Sequence, residues 1–434
     1  MKTVFCVFNL FVAFTFSACL GPKKINEIRT DEKSHAAIAM KKDTFLANLL
    51  SAHPEYFDSI LSNTDEFNVQ IIYTQIDRAS GNVPKFTNYY YNVDGGKYFY
   101  PASTVKLPIA ALALQKLNEL NVPGLDRNST MITEAGFENQ TAVLNDPTTE
   151  DGRPTVSNYI KKILLVSDND AYNRLYEFLG QEYINANLHR MGYDSAQILH
   201  RLSLAMNEEQ SRHTNPVKFY SRSGKLLYEQ GLVKSNLQFH NREDFLGRGY
   251  MRGSELVNEP FDFSIKNRLS LPNLHSIVQS IVFPESLVQA KRFKVTKDDY
   301  AFLQKFMSML PGESATPQYD TSYTDAYVKF LMFGGDGNID DTAIRIFNKP
   351  GDAYGFLTDA AYIVDFKNGV EFMLSATIYC NSDGVFNDDR YDYETIGFPF
   401  LKNLGQVIYD YEMKRKKKNK PDLSAFKFDY KNQN

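Results

Sequence analysis

The sequence of 434 residues contains no tryptophan, only three cysteines and only seven histidines. Three cysteines cannot build a framework of disulfide bonds, so a small disulfide-held fold is excluded. The histidines are scattered, and neither an HExxH sequence nor a pair of histidines four residues apart occurs. We therefore expect no metal site and no cofactor. The formal net charge of −4 gives no electrostatic reason to expect a nucleic acid partner.

The chain begins with a stretch that is typical of a targeting segment. Residues 1–18 carry an early lysine and then an apolar run that is too short to span a membrane comfortably. The run ends in Ser17 and Ala18, directly before Cys19. This pattern resembles a bacterial lipoprotein signal, in which Cys19 would be lipidated; a plain secretory signal is the alternative. We expect an exported protein that a lipid anchors to a bacterial membrane, in the periplasm or at the cell surface.

Three further segments follow the signal. Residues 19–43 are polar and of mixed charge, which indicates a tether. Residues 44–410 form one globular domain, in which strand patterns near both ends enclose a middle with helical spacing. This order predicts an α+β fold, with one sheet assembled from both chain ends and an inserted helical lobe. Residues 215–340 have little pattern, and residues 411–434 form a basic polar tail.

A serine and a lysine stand one helical turn apart at the start of an apolar helix. Ser103 and Lys106 precede the run LPIAALAL at residues 107–114, which predicts a buried helix. A serine hydroxyl becomes a nucleophile when a base takes its proton, and a lysine can be that base if burial lowers its pKa. The SxxK pattern alone is weak, since a second copy, Ser424 to Lys427, lies in the polar tail.

Two other short motifs have ordinary explanations when each is taken alone. The sequence SDN at residues 167–169 separates two helical patterns, and serine and aspartate commonly cap helices. The sequence KPG at residues 349–351 follows a predicted strand and also fits a proline–glycine turn with a solvated lysine. The order SxxK, then SDN, then KxG before a pair of strands is more informative than any one of the three.

This ordered set resembles the active-site motifs of class A β-lactamases and penicillin-binding proteins. The resemblance covers about residues 44–410 and is poorest over residues 215–340, which we expect to be enlarged relative to the family. It implies a β-lactamase/transpeptidase-like fold. In that fold an antiparallel sheet of about five strands, built from both chain ends and flanked by helices, adjoins an all-helical lobe.

The resemblance also implies roles for individual residues. Four residues would be catalytic: the nucleophile Ser103, its proton acceptor Lys106, the proton shuttle Ser167, and Lys349. Lys349 would attract the substrate carboxylate and disfavour the protonated form of Lys106. The substrate-binding group is Asn169, which would bind the substrate's amide, together with Gly351 and Asp352. The backbone N–H groups of Ser103 and Asp352 would form the oxyanion hole, whereas Asp168 would hold the local backbone.

The chain departs from the family pattern in two places. The class A loop glutamate, which activates the deacylating water, lies about three dozen residues after SDN, and that count reaches Ser203 here. Glu208 and Glu209 are the nearest acidic residues and could help only if the loop register differs. Pro350 replaces the usual threonine or serine, and proline offers neither a hydroxyl nor an N–H group.

These observations predict a serine hydrolase that a β-lactam or related amide acylates at Ser103, with hydrolysis that can be slow. Such an enzyme would break down β-lactams and confer antibiotic resistance. The alternatives are a cell-envelope peptidase or esterase, and a protein that binds β-lactams or muropeptides without turnover. The expected partners are a small β-lactam or a peptidoglycan-derived peptide and, through Cys19, a membrane. We expect a monomer.

Overall fold

The computed structural model describes residues 44–239 and 241–431. The predicted signal, Cys19 and the tether at residues 19–43 lie outside the described residues. Within the described part of the chain, no helix is long and apolar enough to cross a membrane.

The described residues contain both helices and strands along most of their length. The helices are α1 (Thr44–Ser51), α2 (Pro54–Leu61), α3 (Lys106–Leu120), α4 (Val156–Val166), α5 (Asn169–Leu179), α6 (Gln181–Arg190), α7 (Glu208–Arg212), α8 (Leu271–Val282), α9 (Lys297–Ser308) and α10 (Phe398–Lys414). The strands are β1 (Gln70–Arg78), β2 (Pro84–Tyr91), β3 (Thr130–Thr133), β4 (His213–Thr214), β5 (Val217–Tyr220), β6 (Leu226–Gln230), β7 (Val233–Lys234), β8 (Phe245–Leu246), β9 (Gly249–Arg252), β10 (Glu255–Val257), β11 (Phe261–Asp262), β12 (Ile344–Asn348), β13 (Gly351–Ala353), β14 (Phe356–Asp365), β15 (Val370–Tyr379) and β16 (Val385–Phe386).

The main sheet joins the two ends of the domain, as the sequence predicts. Its order is β12-β14-β15-β1-β2, every pair is antiparallel, and the short strand β13 adds to β14 beside β12. The β14–β15 pair is a hairpin across the predicted KNG turn, with Asp365 opposite Val370. Strand β1 then pairs with β15, so that Tyr73 lies opposite Leu374. This contact between distant segments closes the domain.

Both faces of the sheet are covered, which explains why β14 and most of β15 are buried along their length. Alternate side chains of β15, including Phe372 and Leu374, pack against helices α1, α2 and α10. Met373 points to the other face and joins the core of helices α3, α4, α5, α8 and α9. The antiparallel sheet has six strands, one short strand more than the expected five, and with its flanking helices it confirms the predicted fold class.

The inserted lobe is mainly helical, but it also contains a three-stranded sheet of order β3-β5-β6. The poorly patterned residues 215–340 contain these last strands, several short hairpins and helices α8 and α9. Sequence patterning did not indicate the short strands because runs of two to five residues carry almost no periodicity.

The segment after α10 returns across the sheet instead of leaving the domain. Its Phe426 is buried, with ring centroids 4.9 Å from Tyr362 and 5.8 Å from Phe347. The second SxxK copy is therefore a surface turn beside a buried phenylalanine, and both Ser424 and Lys427 are exposed.

Candidate active site

The candidate nucleophile lies where a strand-to-helix connection begins helix α3. Residues Ala102–Val105 form a 3₁₀ turn, and α3 continues it from Lys106. Ala102 has a φ of 46°, a backbone strain that turns the chain sharply just before Ser103. Ser103 remains partly open to solvent, whereas the residues that follow it are buried. The sequence thus holds a hydroxyl at the mouth of a rigid, buried helix.

The Lys106 amine is the centre of the site. Its side chain is fully buried, and Nζ lies 2.8 Å from Ser103 Oγ, 3.1 Å from Ser167 Oγ and 2.7 Å from Asn169 Oδ1. Nζ also contacts the backbone carbonyl of Ser167. All three hydrogen-bonding side chains come from the predicted SxxK and SDN motifs.

A second buried amine approaches from the main sheet. Lys349 Nζ lies 2.9 Å from Ser167 Oγ and donates to its neighbouring carbonyl, Pro350 O, at 2.8 Å. Ser167 Oγ therefore bridges the two amines, although 182 residues separate it from Lys349. The lysine of the predicted turn is thus a cleft residue rather than a solvated one.

Burial lowers the pKa of both amines, and repulsion by Lys349 adds to the shift of Lys106. Burial, with the Lys349 cation as the second cause, holds the pKa of Lys106 well below its ordinary value. Burial lowers the pKa of Lys349 to about 7, and Asp352 and Asp359 partly oppose this shift. The lowered pKa favours the uncharged form of Lys106, in which the amine can accept the Ser103 proton.

The SDN segment links helices α4 and α5 in a strained turn. Ser167 ends α4 in the left-handed region with a φ of 60°, which directs its hydroxyl between the two lysines. Asp168 caps α5 by accepting from Ala171 N at 2.7 Å, so it holds the local backbone. Both the capping explanation and the catalytic one fit this motif, because different residues serve each purpose.

Gly351 allows strand β13 to lie directly against the start of α3. A Cβ atom at this position would stand 2.7 Å from Ser103 N and 2.8 Å from Thr104 N. Backbones this close bring the N–H groups of Ser103 and Asp352 near one another, as an oxyanion hole requires. That role stays a prediction.

Residues 55–232 match the model of the beta-lactamase enzyme family, and this range includes Ser103, Lys106 and the SDN segment. This part of the chain is therefore similar to the beta-lactamase enzyme family. The family resemblance that the motifs indicated is confirmed. Lys349 lies beyond the matched range, so its place in the site rests on the geometry above.

Three solved structures that match most of this chain share little of its sequence. PBP-A is 16% identical, covering 85% of this chain and 97% of its own, with a TM-score of 0.46. The class A beta-lactamase from Clostridium kluyveri is 13% identical. The match covers 82% of this chain and 98% of that protein, with a TM-score of 0.45. The beta-lactamase from Chitinophaga pinensis is 12% identical. The match covers 84% of this chain and 99% of that protein, with a TM-score of 0.47. No curated protein matches the chain.

The loop that the count from SDN equates with the class A glutamate loop presents Ser203 to the cleft. Ser203 Oγ accepts from Asn169 Nδ2 at 2.8 Å, so counting along the sequence identified the residue that faces the site. Arg201 is fully buried and fastens this loop, donating to Glu177 at 2.9 Å and to the carbonyl of His213 at 2.9 Å.

Neither nearby glutamate replaces the missing one. Glu208 pairs with Arg212 at 2.7 Å, and Glu209 pairs with Lys234 at 2.6 Å. Both are exposed, and neither lines the parts of the cleft that contain Ser103. Among the described residues, one other glutamate, Glu394, lines a compartment of the cleft that contains Ser103 and Asn169, and it is exposed.

The cleft has two compartments, which share Ser103, Asn169 and Asp352 in their linings. One compartment contains Ser167, Thr324 and Pro350 and adjoins Lys349. The other, which we call the tyrosine pocket, has a volume of about 380 Å³. Its distinctive lining residues are Tyr100, Ser203, Tyr354, Asp389, Tyr391 and Tyr393. Sequence reasoning missed the tyrosines and Asp389, because no local pattern connects them to the three motifs.

Proposed function

We propose that this protein is a serine hydrolase that a β-lactam, or a related amide, acylates at Ser103. The observation that carries this proposal is the joining of two buried amines to two hydroxyls in one cleft. Lys106 contacts both Ser103 and Ser167, and Lys349 contacts Ser167. No alternative role as a helix cap or surface turn needs two lysines to be buried side by side.

In acylation, the uncharged Lys106 amine accepts the proton of Ser103 as the hydroxyl oxygen attacks the substrate carbonyl. The separation of 2.8 Å between these groups is suitable for direct proton transfer. The N-terminus of α3 places positive potential beside the developing oxyanion, and the N–H groups of Ser103 and Asp352 would receive it.

The leaving nitrogen needs a proton, and Ser167 stands where it can deliver one. The proton taken by Lys106 passes to Ser167 Oγ, which lies 3.1 Å away, and from there to the nitrogen. Lys349 holds the other side of the Ser167 hydroxyl at 2.9 Å and attracts the substrate carboxylate. Its charge also favours the neutral form of Lys106.

We infer that deacylation is slow, because Ser203 stands where class A β-lactamases have their general base. A serine hydroxyl cannot accept the proton of water effectively at neutral pH. This observation favours a second candidate function, a β-lactam-binding protein with little turnover. The replacement of a carboxylate-binding hydroxyl by Pro350 favours another acyl substrate, such as an envelope peptide or ester.

Intact-mass measurements over time with penicillin G test these proposals. We expect an adduct of the full inhibitor mass on the wild-type protein and none on Ser103→Ala. The second SxxK serine provides a matched control, since Ser424→Ala should be acylated like the wild type. A short-lived adduct indicates a hydrolase, and a persistent one indicates a binder. The absence of any adduct on the wild-type protein would show that its substrate is not a β-lactam.

A further inference from the structure

The tyrosine pocket is the compartment into which the acyl half of a bound substrate extends. Lys349, which would bind the substrate carboxylate, adjoins the opposite compartment through Ser167. Asn169, which would bind the substrate amide, borders the tyrosine pocket. A substrate attacked by Ser103 would therefore direct the group attached to its amide away from Lys349. This orientation rests on the proposed function.

The charge of this pocket is negative. The carboxylates of Asp352 and Asp389 line it, whereas no lysine or arginine of the described residues does. Neither carboxylate forms an ion pair with a described residue, and the neighbouring Arg390 is exposed outside the lining. Although Asp352 opens to the cleft, desolvation by its crowded surroundings raises the pKa of its carboxyl. Asp389 is therefore the more suitable residue for a charge-removal test.

Aromatic faces complete the wall and are held in place from behind. Tyr354 lies edge-on to Tyr100 at 5.0 Å and to Phe263 at 5.3 Å, so the poorly patterned segment 215–340 supports the pocket. Tyr393 accepts from Gly355 N at 2.9 Å and lies 5.4 Å from Tyr391. Tyrosine rings attract cations through their faces, and a wall that is already ordered loses little entropy on binding.

We propose that the tyrosine pocket selects acyl donors whose acyl side chain carries an ammonium group. The substrate class is then a cationic amide, such as an amine-bearing peptide, rather than a neutral or acidic one. Carboxylates beside aromatic rings recognise an ammonium group by charge and by cation–π attraction together. An anionic side chain would instead face two carboxylates and would be disfavoured.

Three penicillins that differ mainly at one carbon provide the test. Ampicillin carries an amino group on this carbon of its side chain, penicillin G carries no charge there, and carbenicillin carries a carboxylate. At about pH 7 an α-amino group with a pKa of about 7.7–8.0 is mostly protonated. Acylation rate constants from intact-mass time courses should fall in the order ampicillin, penicillin G, carbenicillin.

The variant Asp389→Asn should lower the ratio of the ampicillin to the penicillin G rate by about two- to fivefold, the size of one exposed ion pair. The matched control is Asp388→Asn, which removes the same formal charge from the same loop but from outside the pocket lining. Its amide oxygen can still accept from Arg390 N, as Asp388 does at 3.1 Å. The control should retain the wild-type ratio.

Each outcome bears on a different claim. Equal wild-type rates with all three penicillins, or an Asp389→Asn ratio like that of the wild type, would overturn the selection of cations while leaving acylation intact. An equal fall in both variants would assign the effect to general charge and would overturn the role of the pocket. No adduct with any of the three would remove the proposed β-lactam acylation, and this inference with it.

Discussion

Removing the Lys349 amine should raise the pKa of Lys106, the proposed base. Ser167 Oγ lies 3.1 Å from one amine and 2.9 Å from the other, so the two nitrogens are at most about 6 Å apart. At an effective dielectric constant of about 20, two unit charges at this distance repel by about 3 kcal/mol, or about 2 pKa units. The variant Lys349→Met should therefore shift the pKa of Lys106 upward, by at least about 2 units where Lys349 is charged.

The assay is the pH dependence of the rate constant for acylation by penicillin G. Lys106 acts as a base only when it is neutral, so the rate rises as the pH increases through its pKa. This rising part of the profile is its acid limb, and a raised pKa of Lys106 moves the limb to higher pH. At saturating penicillin G the rate no longer depends on the carboxylate attraction, which Lys349 supplies only below its pKa of about 7, so the position of the limb reports the pKa of Lys106. The pKa shift and the lost carboxylate attraction are therefore separable in one experiment.

A second buried lysine of helix α3 supplies the control. Lys116 also has a pKa lowered by burial, to about 8, but its amine donates to Phe178 O and Gln230 Oε1 in the lobe and does not contact the cleft. Lys116→Met should leave the acid limb in its wild-type position once unchanged folding is verified by thermal unfolding. If Lys349→Met and the wild type share the same acid limb, the repulsion between Lys349 and Lys106 does not tune the base.

Three other changes test separate parts of the structure. Ser203→Glu should shorten the lifetime of the penicillin G adduct, measured by intact mass, by about 10²- to 10⁴-fold, which is the usual contribution of a general base. The control Ser203→Gln should leave the lifetime unchanged. An unchanged lifetime in Ser203→Glu would contradict the assignment of this loop position. Gly351→Ala forces a Cβ to 2.7 Å from Ser103 N and should cost about 1–3 kcal/mol of unfolding free energy, measured by urea denaturation; a wild-type midpoint would show that β13 does not press on α3. Cys19→Ala should abolish metabolic labelling of the protein with a radioactive fatty acid, and retained labelling would exclude a lipid anchor at this cysteine.

Much of the fold follows from local patterns. The apolar runs of β1, β14 and β15 and the apolar spacing of α3 to α5 are strong signals, because these elements are largely buried. The short strands between residues 213 and 262 lack such a signal. The return of the chain after α10 was also unexpected, because Phe426 is a single buried anchor in a polar segment.

The candidate site was only partly predictable for the same reason. Ser103, Lys106 and Ser203 were found from motif order and counting. Tyr354, Tyr391, Tyr393 and Asp389 were not, since each contributes one side chain from the end of a strand or from a loop. Contacts between residues far apart in the chain depend on how the sheet and lobe pack, and packing leaves no local trace in the sequence.

The amino-acid sequence by itself determined the chemical groups available here, their order, and the helices and strands that carry them. Only the tertiary structure brought Lys349 to Ser167 across 182 residues and buried both amines. A lysine becomes a base through its loss of water and the nearness of another cation. Both conditions are properties of the packed domain and not of any segment, so the proposed reactivity of Ser103 exists only once the sheet has closed against the lobe.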